Sequence, residues 1–195
     1  MPRAWIALGG LAARGLSALA VAAVCATAQT ASAPPSAPAA PVLPSQAPDT
    51  STAWLVADDA SKTVTVALEV TRASNGSGLI NGRRAGQLQI VVPLNWTVQW
   101  DWRNADSTSP HSLVVMAERE KLPTEGGRAA FTNAMTRQVT AGLAAGQGDR
   151  TTFTAEEAGW FWLLCGVPGH AIAGEYLGLR VDPEAKTASV RTKSP

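Results

Sequence analysis

The chain has 195 residues, enough for one domain with appendages. Charged residues make up 16% of it, below the usual share of about a quarter, and 16 Lys and Arg face 15 Asp and Glu. A net charge of +1 with no clustered basic patch argues against a nucleic-acid partner. No apolar run approaches the roughly 20 residues of a comfortable membrane span. Trp is abundant at 7, while Cys and His are scarce at 2 each.

Residues 1–28 read as a secretory signal. Arg3 and Arg14 supply positive charge, no acid precedes Asp49, and Gly15 to Ala28 is small and apolar. Ala26-Thr27-Ala28 fits an A-x-A cleavage site; Ala31-Ser32-Ala33 is poorer, because Pro34 would follow the cut. Cleavage after Ala28 removes both of those Arg and no acid, leaving 14 basic against 15 acidic side chains. The expected location is periplasmic or secreted. The alternative is an uncleaved segment anchoring the protein to the outer face of the cytoplasmic membrane. Cys25 is a poor lipidation site, since Val24 stands where a small residue is wanted. Residues 29–52 carry six prolines among Ala and Ser, which predicts an extended linker of about 3.1 Å per residue.

A folded domain is predicted over 53–183, with 184–195 as a tail. Thr63 to Val70 and Gln87 to Val92 read as strands. Thr97 to Asn104 is the clearest: Val98, Trp100 and Trp102 fall on one face, Gln99, Asp101 and Arg103 on the other. Ser112 to Met116 is short and apolar, and Thr151 to Thr154 is weak. Trp160 to Cys165 is apolar on both faces and predicts a central strand, and Tyr176 to Val181 closes the domain. Short strands between turn signals predict an all-β antiparallel sandwich or barrel. Within the Gly-rich stretch 118–150, Phe131, Met135 and Gln138 share a helical face, which predicts a short helix over Ala129 to Gln138.

Once the signal is removed, Cys165 is the sole cysteine, so an exported chain has no disulfide partner for it. A buried, inert thiol is the plain reading of such a residue. Five residues on stands His170, past the sharp turn of Pro168-Gly169. The other histidine, His111, follows Ser109-Pro110 and opens a strand. Two strand ends at one pole of a sandwich bring such residues together. Two His and one Cys form the trigonal set of a blue-copper electron-transfer site, completed by a weak axial ligand.

The run Gly159 to Gly174, GWFWLLCGVPGHAIAG, resembles the copper loop of the cupredoxins, above all of sulfocyanin-like proteins. Ile80-Asn81-Gly82 with Gly86-Gln87-Leu88 is similar to the family's early strands, and Asn104 with Pro110-His111-Ser112 to its first histidine motif. The likeness spans roughly 60–182. It implies a Greek-key β-sandwich, one copper ion and electron-carrier duty near a respiratory chain, with His111, Cys165 and His170 as equatorial ligands. The family pattern sets a Met five residues after the second His, where this chain has Glu175. Met116 leaves the far face of its strand and reads as core, and nothing places Met135 near the loop. Glu175 is the leading axial candidate; the alternative is a Glu175 turned to solvent, with three ligands or a backbone oxygen. A carboxylate favours Cu(II), lowers the potential and makes zinc a more credible occupant.

His170 on its loop, with Val167, Pro168, Ala171 and Ile172 around it, predicts an apolar electron-transfer surface for brief docking to a redox protein of cytochrome or terminal-oxidase type. Ser112 is expected to hydrogen-bond across to the Cys165 loop. A monomer without enzymatic activity is expected. Multicopper oxidases need many more His, and a binuclear copper centre needs a second Cys beside Cys165. The competing reading is a periplasmic copper carrier or chaperone with the same ligands.

Overall fold

The computed structural model describes residues 53–119 and 121–192. The signal expected at 1–28 and the linker at 29–52 lie outside them. Ten strands follow in order: β1 (Leu55–Asp58), β2 (Thr63–Arg72), β3 (Gly78–Ile80), β4 (Leu88–Pro93), β5 (Thr97–Asn104), β6 (Val114–Ala117), β7 (Gly148–Thr154), β8 (Gly159–Leu164), β9 (Tyr176–Asp182) and β10 (Ser189–Thr192). One sheet runs β1-β2-β5-β7, with β3 paired to β2; the other runs β10-β4-β9-β8-β6. The chain crosses between the sheets from β3 to β4, β4 to β5, β5 to β6, β6 to β7 and β7 to β8. The result is the all-β sandwich that the resemblance implied. The sheets are mixed where antiparallel pairing was expected, because β2 runs parallel to β5 and β4 parallel to β9.

A single apolar cluster joins the two sheets. Val64, Val66, Leu68 and Val70 of β2 and Val98, Trp100 and Trp102 of β5 meet Ile90 and Val92 of β4, Phe161 and Leu163 of β8, and Leu177, Leu179 and Val181 of β9. The period-2 alternation of β2 and β5 sends every second side chain inward and leaves Gln99, Asp101 and Arg103 exposed. β8 is apolar on both faces for a different reason. Phe161 and Leu163 enter the main core, while Leu164 joins Val114 and Ala171 in a second cluster on the other side. Leu122 and Val139 from the long β6–β7 connection cover that second cluster, together with Met116, Trp162 and Tyr176.

Two expectations need correction. No helix forms among the described residues, and Ala129 to Gln138 is irregular, with short turns and one bridge from Met135 to Val114. Asn133 and Gln138 take left-handed backbone, at φ 64° and 55°, which interrupts any helix. The segment also bonds sideways to its neighbour: Ala130 N–H to Val115 O at 2.8 Å, Val115 N–H to Ala134 O at 2.9 Å and Thr136 N–H to Leu113 O at 2.8 Å. The domain also extends past residue 183. β10 lies within the expected tail and pairs antiparallel with β4, placing Val190 in the core.

The register brings three chain segments to one pole. Val114 at the start of β6 faces Leu164 at the end of β8, and Leu164 faces Tyr176 at the start of β9. His111 therefore lies just before β6, and Cys165 to Glu175 form the loop that joins β8 to β9.

Candidate metal centre

His111 is fixed by its backbone. Its N–H donates to Leu143 O at 3.1 Å and its carbonyl accepts from Leu143 N–H at 2.7 Å. Asn104, fully buried at the end of β5, donates from its amide to Ser109 O and Leu143 O, each at 2.9 Å. The Cys165 loop closes on itself: Cys165 N–H reaches Glu175 O at 3.1 Å, and Glu175 N–H reaches His170 O at 3.0 Å. Gly169 takes φ +85°, the left-handed backbone that lets the chain turn back toward His170.

These segments place donor atoms of His111, Cys165, His170 and Glu175 all within 4.8 Å of one another. Cys165 Sγ lies 3.5 Å from His170 Nδ1 and 3.9 Å from His111 Nδ1, and the two Nδ1 atoms are 3.3 Å apart. The Glu175 carboxylate spans both rings, 2.8 Å from His111 Nδ1 and 3.2 Å from His170 Nδ1. Donors held about 2.0–2.3 Å from one ion sit about 3–4 Å from each other, so this spacing fits a single small cation. One thiol, two imidazoles and a carboxylate are the donor chemistry of copper, and of zinc. Cys165, His111 and Glu175 are buried, while the His170 side chain keeps 27% exposure.

Burial shapes the electrostatics. It is the main force pushing the Cys165 thiol up to about 12, and the nearby Glu175 charge adds to it. Burial alone would raise Glu175 as well, but its hydrogen bonds with His111 and His170 win and hold the carboxyl below its ordinary value. For His111 burial opposes the charged ring, yet bonds to Glu175 and Asp106 raise its pKa. The reading in which Glu175 points to solvent is overturned, since its side chain is 2% exposed and faces both rings.

Ser112 ties the two ligand segments together. Its Oγ accepts from Gly166 N–H at 2.9 Å and donates to Val139 O at 2.6 Å, and its own N–H points at Cys165 Sγ, 3.4 Å away. Around His170, Pro168 and Ile172 are exposed and Val167 half-buried. Ala171 does not join this surface: it is fully buried against Val114 and Leu164. Met116 sits in the second cluster, and Met135 is 41% exposed on the β6–β7 connection.

Two further residues shape the site. Gly78 of β3 has no side chain where one would collide: a Cβ there would lie 2.1 Å from Glu175 Oε2 and 2.4 Å from its Cδ. Nothing in the local sequence marks this, because the contact joins β3 to the end of a loop far along the chain. Asp106 accepts from the far nitrogen of His111, Nε2 to Oδ2 at 3.0 Å, and is as buried as the ring. Its signal was present in Asp106-Ser-Thr108, a side-chain-capped turn shortly before His111.

The sulfocyanin (SoxE) domain matches residues 50–189. Among solved structures the chain is similar to the copper protein rusticyanin, at 18% identity over 62% of this chain and 83% of that one, with a TM-score of 0.40. Another rusticyanin structure, from Thiobacillus ferrooxidans, is 19% identical over 62% of this chain and 82% of that one, TM-score 0.38. A multicopper oxidase is 19% identical over 68% of this chain but only 45% of its own length, TM-score 0.44. A comparison with curated proteins gave no match. Likenesses this distant leave the assignment to the domain match, which spans most of the chain and the whole donor cluster. The chain belongs to the sulfocyanin domain family of cupredoxins, which bind one copper ion and carry electrons.

Proposed function

We propose that this protein shuttles single electrons between redox proteins outside the cytoplasm, holding its copper through His111, Cys165, His170 and Glu175. The observation that carries the reading is an asymmetry: three of the four donor side chains are buried, and only the His170 ring reaches the surface. Copper, when bound, supplies one-electron exchange between Cu(I) and Cu(II). Strand ends and a self-bonded loop hold the four side chains nearly fixed, which keeps reorganisation small. The Glu175 carboxylate favours the more highly charged oxidised ion. Burial of Cys165 and His111 keeps bulk water from the thiolate and opposes the fast metal release that a delivery protein needs.

The His170 edge is the way in and out for electrons. Pro168 and Ile172, with the half-buried Val167, form an apolar collar beside it, suited to a small interface that separates quickly. The partners proposed are redox proteins of cytochrome or terminal-oxidase type in a respiratory chain. The charge and apolar pattern of residues 1–28 supports an extracytoplasmic location. Ile172→Lys puts an ammonium in the collar, and desolvating it opposes docking. Electron exchange with the physiological partner should slow about tenfold or more, with the visible spectrum unchanged. Exchange at the parental rate would move the docking face elsewhere.

A further inference from the structure

We infer that Asp106 sets the reduction potential of the copper centre through His111, and that Arg72 moderates its effect; this rests on the reading of His111 as a ligand. The two histidines are built differently. His170 turns Nδ1 to the donor cluster and exposes part of its ring. His111 also turns Nδ1 to the cluster, but its Nε2 meets Asp106 Oδ2 at 3.0 Å, with both side chains 2% exposed. A ring that gives the Nδ1 lone pair to a metal carries its proton on Nε2, so Nε2–H donates to the carboxylate. A buried anion on that proton fixes the tautomer and ring angle and pushes electron density toward Nδ1. A more basic Nδ1 favours Cu(II) over Cu(I).

The carboxylate is held rigidly for this role. Asp106 Oδ1 accepts from Thr108 N–H at 2.8 Å and Thr108 Oγ1–H at 2.6 Å, and Asp106 N–H donates to Asn104 Oδ1 at 2.9 Å. Oδ2 is shared between His111 and Arg72, whose Nη1 lies 3.3 Å away. The same Nη1 donates to Thr108 Oγ1 at 2.6 Å and Ser109 Oγ at 2.9 Å. Arg72 is 42% exposed, so it offsets the Asp106 charge from the wet side. Asp106 touches no donor atom of the cluster other than through His111; it is a positioning residue.

The test compares Asp106→Asn and Arg72→Met in the full chain. Asp106→Asn keeps an oxygen for Nε2–H but removes the charge. Its preference for Cu(II) over Cu(I) should fall about tenfold, an upward shift of about 59 mV in potential. Arg72→Met leaves the Asp106 charge unopposed and should shift the potential the other way, by less. Zn(II), with the same charge as Cu(II) and no redox chemistry, should lose about tenfold in affinity for Asp106→Asn. Shifts of opposite sign separate a charge effect from a loosened loop, which would move both variants alike. If Asp106→Asn does not fold, the downward shift in Arg72→Met carries the test. The thiolate-to-Cu(II) band reports the ligand reading on its own: a parent protein without it fails that reading. Variants that keep the band with an unmoved potential, or that shift the same way, overturn the inference.

Discussion

Glu175 occupies space that any side chain at position 78 would claim. A methyl group on Gly78 would sit 2.1 Å from the carboxylate oxygen, so Gly78→Ala must drive Glu175 from the cluster or displace β3. Glu175→Met removes the negative charge directly. Both changes should raise the reduction potential, by about 59 mV or more for each tenfold loss of Cu(II) preference, and Glu175→Met should move the spectrum toward an ordinary blue site. Potentials and spectra matching the parent in both variants would show that the carboxylate binds no metal. A second consequence lies in Cys165, whose thiol burial pushes up to about 12. The metal-free protein therefore carries a thiol throughout the neutral range, and a metal ion must displace its proton. Below about pH 12 each unit of added pH should strengthen binding about tenfold for this one proton, until the thiol is ionised unaided. In acid His111, whose pKa is raised, holds a further proton and steepens the dependence. Calorimetric titration in buffers of different ionisation heat counts the protons; no release at neutral pH would mean that the thiol is already ionised before metal binds.

Among elements, the tie between the β8–β9 loop and the segment before β6 is Ser112. Ser112→Ala strands the Gly166 N–H and the Val139 carbonyl, and a buried polar group left unpaired costs about 1–3 kcal/mol. The urea midpoint of the metal-free protein should fall accordingly; an unchanged midpoint would mean water replaces the hydroxyl. The sequence made some elements plain and hid others for physical reasons. β5 is half-buried, so its alternation shows inside and outside residue by residue. β1, β3 and β10 are three or four residues long, too short for a period to appear. The run around Phe131 has helical spacing, yet its backbone groups find partners on Leu113 and Val115, which no local pattern reveals.

Across the whole molecule the sandwich turns sequence-distant strand ends into one site. His111, Cys165 and His170 were legible because residues 29–195 offer no other Cys or His to consider. Glu175 was legible from family spacing rather than from its own surroundings. Gly78 was not, because it acts through a contact that exists only once the strands have assembled; the turn at Asp106 shows in the sequence, but its contact with the His111 ring does not. At the rim, Ala171 looks like part of an exposed collar in sequence but turns inward to the second cluster, while Ile172 stays 59% exposed. The central claim is that these four side chains hold one copper with Cys165 as a thiolate ligand. Titration of the metal-free protein with Cu(II), followed in the visible range, tests it most directly. An intense band should grow to saturation at one equivalent and be absent in Cys165→Ser. A parent protein without that band, or a Cys165→Ser protein that keeps it, would contradict the claim.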